Sequence, residues 1–299
     1  MYQRRLQQLL PILWPQLIWL TLILMVARVV MYNSFVEPDL VADKGDDLLR
    51  MWVTGLRYDL RIAGMAVAPF LLFGLGLAGW SKGWGYLWRS LPLWFGWVAF
   101  IVASVAIGNY FYYQTYHNHI DVFAFGLVDD DTCAVLANMW QDYPVIKGGI
   151  AATLLALPPV WFSYRVRSMT LRPWPSALFW VVLVLSVILI AVAARGSVGT
   201  FPLRRANAQV SDLTVLNKLT PNGLMAIDWA IKDYQADIQF EIVDAAEKIR
   251  LLKAAGLDSL AGRTPINTWL ADHKPHVVMS LMESFGSNML ALDEPGKND

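Results

Sequence analysis

Cysteine, histidine and charged residues are all scarce in this sequence. The chain has 299 residues with one cysteine and four histidines, and 16% of its residues are charged, against about 25% in ordinary soluble domains. The lone Cys133 cannot form an internal disulfide, and no Cys/His cluster has zinc spacing, so disulfide and structural zinc frameworks are excluded. Twenty-four basic residues balance twenty-four acidic ones, which excludes the basic field of a nucleic-acid-binding protein.

Hydrophobic residues are abundant instead. They make up 56% of the chain, and the mean hydropathy is +0.42. Five segments have the roughly 20 mostly apolar residues that a transmembrane helix needs. They are 12–31, 62–80, 91–113, 145–164 and 176–194. The sequence therefore predicts an all-α polytopic membrane domain over residues 1–194, with Arg28 and Lys147 near segment ends and snorkelling to the headgroups.

The loops between these segments differ in charge. One set carries only basic residues, namely Arg4, Arg5, Lys82, Arg89, Arg165, Arg167 and Arg172. The opposite loops carry most of the acidic residues of this part of the chain, including Asp39, Asp59 and Asp121. Because cytoplasmic loops collect Lys and Arg, we expect a cytoplasmic N-terminus and extracytoplasmic residues after Ala194.

Residues 195–270 are predicted to form a connector followed by a linker. The stretch Arg195-Gly-Ser-Val-Gly-Thr-Phe-Pro-Leu-Arg-Arg205 is punctuated by Gly and Pro and predicts an extended loop leaving the bilayer. From 233 to 255, apolar residues recur at helical spacing and end before Gly256. This pattern predicts one amphipathic helix, whose apolar stripe packs on the rest of the protein.

A different pattern begins at residue 276. The run 276–286 is short and apolar, follows Lys274-Pro275 and ends in polar residues and glycine, as a buried parallel strand does. Ligands of open α/β sheets lie beyond the carboxyl ends of the strands. Glu283 would therefore stand where a carboxylate can reach a bound metal.

The five spans, the connector and Val277-Val-Met-Ser-Leu-Met-Glu-Ser-Phe-Gly286 together resemble the lipoteichoic acid synthase family. These are sulfatase-like membrane phosphoglycerol transferases of the alkaline phosphatase superfamily. The resemblance implies that 271–299 is the beginning of a truncated α/β alkaline-phosphatase-like domain, and that Glu283 is the first metal ligand, in a Glu-Ser-Phe motif. It also implies Mn²⁺ (or Mg²⁺) as the metal and a multi-pass protein of the bacterial inner (cytoplasmic) membrane. Its donor would be phosphatidylglycerol, and its acceptor a glycan or lipid.

The resemblance also implies what this stretch of sequence lacks. The family's nucleophilic Thr and its Asp-His metal ligands are expected beyond Asp299. Thr264 and Thr268 precede the strand in a stretch bounded by Gly and Pro, and no role is assigned to them. We therefore expect no catalytic residue within these 299 residues and no activity from this chain alone.

One candidate headgroup site lies at the outer mouth of the second span. Arg57 and Arg61 are separated by one helical turn, with Asp59 between them. Two guanidiniums on one helix face could hold a lipid phosphate. The alternative is an interfacial Arg-Asp pair that only positions the helix.

A second candidate lies at the outer end of the third span. His117 and His119 follow a cluster of tyrosines and precede Asp121. The two histidines could contact lipid headgroups, or could form a metal site with Asp121. A third interpretation is the amphipathic belt of an ordinary membrane interface.

The leading functional hypothesis is a membrane-anchored, metal-dependent transferase that moves phosphoglycerol or a related headgroup from a phospholipid to an extracytoplasmic acceptor. A sulfatase or phosphodiesterase of the same superfamily is one alternative, and a non-catalytic lipid-binding membrane module is another. A transporter is disfavoured, because the sequence shows no intramembrane charge pair or broken helix pair at mid-bilayer depth.

Overall fold

A computed structural model describes residues 1–125, 132–169, 171–236, 243–255 and 269. Within these residues the regular structure is helical. The α-helices, in chain order, are α1 (Tyr2–Phe35), α2 (Pro38–Val41), α3 (Gly45–Leu77), α4 (Ser81–Tyr116), α5 (Thr132–Asp142), α6 (Val145–Arg167), α7 (Ser176–Arg195), α8 (Thr214–Leu219), α9 (Gly223–Gln235) and α10 (Ala245–Ala254). The predicted strand at 276–286, with Glu283, lies outside the described residues, as do Gly256, Thr264 and Thr268.

Five of these helices are long and apolar enough to cross a membrane, namely α1, α3, α4, α6 and α7. The prediction of an all-α polytopic membrane domain is therefore confirmed. Three of the helices begin well before the predicted apolar runs: α1 at Tyr2 rather than at residue 12, α3 at Gly45 rather than at residue 62, and α4 at Ser81 rather than at residue 91. Polar residues at the interface continue a helix without being apolar themselves, so hydropathy marks the span and not the ends of the helix.

Helix α1 is central, because it packs against each of the other four long helices. Its side chains are buried along most of its length, among them Leu6, Leu9, Leu13, Leu20 and Leu24. The long helices alternate in direction, so the bundle has two ends. One end contains the start of α1, which contacts the C-terminal end of α3; we call it the Met1 end. The connector end holds the C-terminal ends of α1, α4 and α7.

The connector is compact, which corrects the prediction that this loop is extended. Gly196 ends α7 with a φ of 73°, a left-handed conformation that glycine adopts without strain. The chain then folds back on itself, and the Leu203 amide donates to the Arg195 carbonyl. A 3-10 turn, Arg205–Ala208, follows, and α8 and α9 come after it. Residues 1–238 form one compact unit that includes the connector.

The predicted single helix over 233–255 is wrong. Helix α9 ends at Gln235, and Val243 and Asp244 are not helical. Asp244 instead caps the start of α10, where its carboxylate accepts from the Glu247 amide at 2.8 Å. A side chain that satisfies a free amide in this way begins a new helix. Helix α10 lies in the second unit, Gln239–Asp299, and none of its described side chains is buried.

Candidate functional site at the connector end

A buried ion pair joins α1 to α3. The Arg28 guanidinium faces the Asp59 carboxylate with two nitrogens: Nη2 donates to Oδ1 at 2.8 Å, and Nη1 donates to Oδ2. The two side chains are 2% and 0% exposed. This bidentate geometry is the strongest form of an arginine–carboxylate pair. The pair is therefore a fixed structural element and has almost no contact with the surroundings of the protein.

The polypeptide that follows the connector completes this cluster. Arg28 Nε donates to the Leu219 carbonyl at 3.1 Å, and Asn222 Nδ2 donates to Asp59 Oδ1 at 2.9 Å. The Asn222 side-chain oxygen also caps α9 by accepting from the Met225 amide. The turn between α8 and α9 is thereby fastened to two membrane helices. Without it, Arg28 Nε would lose its acceptor, and Asp59 Oδ1 would keep only its contact with Arg28.

This pair changes one expectation. The prediction that Arg28 snorkels to the headgroups is wrong, because Asp59 and the Leu219 carbonyl give the guanidinium better partners inside the protein. The expectation of no charge pair at mid-bilayer depth is a different matter, since Arg28 lies near the end of its apolar run and Asp59 lies before the run 62–80. The cavity beside the pair measures only about 20 Å³, which is room for about one water molecule and not for a permeation path.

His119 lies in a second buried cluster beside the first. Its Nε2 faces the Lys218 carbonyl, and its Nδ1 lies 2.7 Å from Asn109 Nδ2. Because a carbonyl can only accept, the proton is on Nε2, and Nδ1 accepts from the Asn109 amide. Asn109 Oδ1 in turn accepts from the Ile120 amide at 3.2 Å. Burial is the main cause that lowers the pKa of His119 to about 4; the hydrogen bond to the Lys218 carbonyl opposes this shift, and the nearby positive charges of Arg28 and Lys218 add to it.

His117 is separated from His119 in both setting and exposure. It ends α4 in a left-handed conformation with φ 48°, and its side chain is exposed. The His117 carbonyl accepts from Lys218 Nζ at 2.7 Å. Asp121 is occupied by local donors, the Tyr112 hydroxyl and the Asn118 amide, each at 2.7 Å. No cluster of three or more potential metal ligands occurs among the residues that the structure describes.

Side chains of α3 bind backbone carbonyls of the connector. Arg57 Nε donates to the Gly196 carbonyl at 3.0 Å, and Arg61 Nη1 donates to the Leu203 carbonyl. Between them, the Tyr58 hydroxyl donates to the Arg204 carbonyl at 2.7 Å. One face of α3 thus binds three backbone carbonyls of the same loop. This contact explains why a loop rich in Gly and Pro is compact here.

Four arginines around this loop have no carboxylate partner among the described residues. They are Arg57, Arg61, Arg195 and Arg204. Arg195 donates to the Gly199 and Thr200 carbonyls, and the Arg204 guanidinium lies over the Phe201 ring at 4.6 Å. Arg61 Nε is buried and lacks a hydrogen-bond partner in this part of the chain. We call these four residues the arginine cluster.

Of the five predicted headgroup residues, three are at least partly exposed and two are buried. Arg57 and Arg61 are half-buried members of the arginine cluster, and His117 is exposed at the end of α4. Asp59 and His119 are buried and engaged by protein groups. Sequence reasoning missed Arg28, Asn109 and Asn222 as partners of the buried residues. It also missed Arg195 and Arg204, although both lie in the connector that the Gly and Pro content predicted.

Compared with known proteins, the chain matches no family model, and no curated protein or solved structure gives a significant match. The resemblance to lipoteichoic acid synthases therefore stays a prediction that rests on the quoted motifs.

Proposed function

We propose that this chain is the membrane-anchoring part of a metal-dependent, sulfatase-like transferase that takes a phosphoglycerol or related headgroup from a membrane phospholipid. The observation that carries the proposal is the arginine cluster. Four arginines without carboxylate partners among the described residues lie in or against one loop at the end of a membrane helix bundle. Guanidinium N–H groups match phosphate oxygens in geometry and charge. The Glu-Ser-Phe motif at Glu283 supplies the metal chemistry of the proposal, with Mn²⁺ or Mg²⁺ as the hard cation that a carboxylate prefers.

In this proposal the connector has a definite task. The loop 195–204 lies on α3 through Arg57, Tyr58 and Arg61, so it is held at one end of the bundle. A donor lipid bound at the arginine cluster would keep its phosphodiester at the level where the polypeptide leaves the bundle. With the proposed orientation, that level is the outer membrane surface of a multi-pass protein.

The catalytic part of the proposal is tested with the natural full-length protein in vesicles containing phosphatidylglycerol. We expect diacylglycerol to accumulate with Mn²⁺ and not with a chelator, and Glu283→Ala to abolish this turnover. Glu294→Ala is the matched control, because it removes a carboxylate close by in the sequence but outside the motif. Turnover that survives Glu283→Ala would refute the metal assignment. Lipid binding without turnover would favour the non-catalytic lipid-binding module, and free glycerol phosphate as the main product would favour a hydrolase.

The headgroup part is tested with Arg57→Ala in the same assay. Loss of a charge-assisted hydrogen bond costs about 1.5 kcal/mol or more, so we expect the KM for the lipid to rise about tenfold with kcat little changed. Arg50→Ala is the control, since Arg50 lies two turns earlier on α3, is exposed and has no ion pair with a described residue. Equal KM values for the two variants would return Arg57 to a purely structural role.

A further inference from the structure

A concave apolar groove lies between α1, α4 and α6. Its volume is about 260 Å³, and its lining residues are Ile23, Val26, Ala27, Val30, Ala103, Ala106, Ile107, Tyr110 and Leu155. The Tyr110 hydroxyl is the single polar side-chain atom in this lining. The groove is thus a hydrocarbon-lined depression on helices that are long and apolar enough to cross a membrane.

Small residues create the depression. Ala27 of α1 and Ala103 and Ala106 of α4 face it, and their side chains end at Cβ. The lining runs from Ile23 to Val30 on α1 and from Ala103 to Tyr110 on α4, which is about 10 Å along each helix axis. The groove is therefore narrow and elongated, and its long axis follows the helices.

The groove stops short of the buried charges. Ala27 and Ala106 also line the small polar cavity that holds Arg28 and Asn222, so these alanines separate the two spaces. At the connector end, the Tyr110 hydroxyl donates to Ser34 Oγ at 3.3 Å. Tyrosine with a hydrogen-bonded hydroxyl is typical of the headgroup level of a membrane protein. The groove thus opens from that level and continues toward the middle of the bundle.

We propose that this groove binds one acyl chain of a membrane phospholipid. The bound lipid then stays with the protein, whereas the lipids around the bundle exchange freely. Apolar cavities of this kind stay free of water, and the solvent around membrane helices is lipid hydrocarbon. A narrow strip lined by methyl groups matches a linear, flexible chain, whose many weak contacts add up. The headgroup would lie near Tyr110. This site is independent of the transferase proposal, because it requires only the described membrane helices.

The test uses the full chain in detergent micelles with a phosphatidylglycerol that carries a photoreactive diazirine in one acyl chain. After irradiation and digestion, we expect adducts to concentrate on peptides that contain 23–30 and 103–110. Ala27→Phe fills the floor of the groove and should lower these adducts about tenfold. Val30→Trp fills the rim at a position that is 46% exposed, so it reduces adducts without overpacking the core. Ala191→Phe, on the exposed face of α7, should change nothing.

Three results would overturn the proposal. Adducts spread evenly over the exposed faces of all five helices would show only the ordinary lipid annulus. Unchanged adducts in folded Val30→Trp would show that the groove is not the site. Photoproducts that join two copies of the chain at 23–30 would show that a second copy occupies it. None of these readouts requires turnover, so the transferase proposal can fail while this one holds.

Discussion

The two ends of the helix bundle satisfy their polar groups in different ways. At the connector end, a full ion pair and a neutral histidine are buried, and their partners come from residues 218–222, far along the chain. At the Met1 end, Gln7 is a buried polar residue; it donates to the Arg172 carbonyl and accepts from the Trp174 amide at 3.2 Å. The connector end therefore buries an ion pair and a titratable side chain against the segment that follows the last membrane helix, whereas Gln7 at the Met1 end is neutral and is satisfied by the short loop between α6 and α7.

Cations show the same contrast. Arg5 at the Met1 end donates to the Ala78 carbonyl at 2.8 Å and lies over the Trp84 ring. Carbonyls at the end of a helix lack partners within it, and a cation there also meets the negative end of the helix dipole. Arg28 at the connector end instead has a carboxylate inside the protein. Arg5 at the Met1 end thus stabilises the end of one helix, while Arg28 at the connector end joins two membrane helices to the turn between α8 and α9.

The largest expected effect comes from breaking the buried pair. Asp59→Ala leaves Arg28 charged, buried and without its carboxylate, and it also removes the acceptor of Asn222. Removing one partner of a buried pair costs about 3–5 kcal/mol. We expect the thermal unfolding midpoint of the full chain in detergent micelles, followed by tryptophan fluorescence, to fall by a correspondingly large amount.

The double variant Arg28→Met/Asp59→Leu separates charge from packing. Replacing both charges by apolar side chains of similar size is often neutral or stabilising, so it should recover most of the loss. If Asp59→Ala unfolded at the wild-type midpoint, the connector end would not depend on this pair.

His119 gives the next largest effect, through pH. Its folded pKa is about 4 and its ordinary value is 6.5, so between these values the unfolded chain binds a proton that the folded chain does not. Neutral His119 thus contributes stability that is complete above about pH 6.5 and is lost as pH falls toward 4. The difference corresponds to about 3 kcal/mol. We expect the unfolding midpoint to fall over this window and the fall to be smaller in His119→Gln. Parallel pH profiles for the two proteins would contradict the assignment.

The membrane helices were predictable because a hydrophobic run of about 20 residues, in a chain so poor in charge, is long enough to cross a bilayer and rarely occurs elsewhere. The partner of Arg28 was not, because Arg28 stands near the end of its run, where snorkelling accounts for it equally well. A signal did exist: Gly55, Asp59 and Ala63 share one face of α3 and are all buried. A lone carboxylate on such a face requires a cation, and Arg28 was the available one.

The connector shows a second limit of sequence patterns. Its compact form depends on guanidinium and hydroxyl groups of α3 that bind backbone carbonyls more than 130 residues away. Any residue type supplies such a carbonyl, so no pattern marks the acceptor. The break before α10 was recognisable, however. Asp244 and Glu247 have the spacing of a capping box, a helix start that the continuing apolar stripe concealed.

The smallest expected effect compares two glycines of one helix. A Cβ at Gly55, near the connector end of α3, would lie 2.6 Å from Arg28 Nε, whereas a Cβ at Gly76, near the Met1 end, would meet no atom within 4 Å. Gly55→Ala must displace a guanidinium that Asp59 and the Leu219 carbonyl hold in place, so we expect a loss of about 1–3 kcal/mol. Gly76→Ala should instead stabilise the helix by about 0.5 kcal/mol at most, because Gly76 is the second-to-last residue of α3. In the Arg28→Met/Asp59→Leu background the cost of Gly55→Ala should shrink, because the displaced group is gone. Equal midpoints for the two single alanine variants would mean that the connector end is packed no more tightly than the Met1 end.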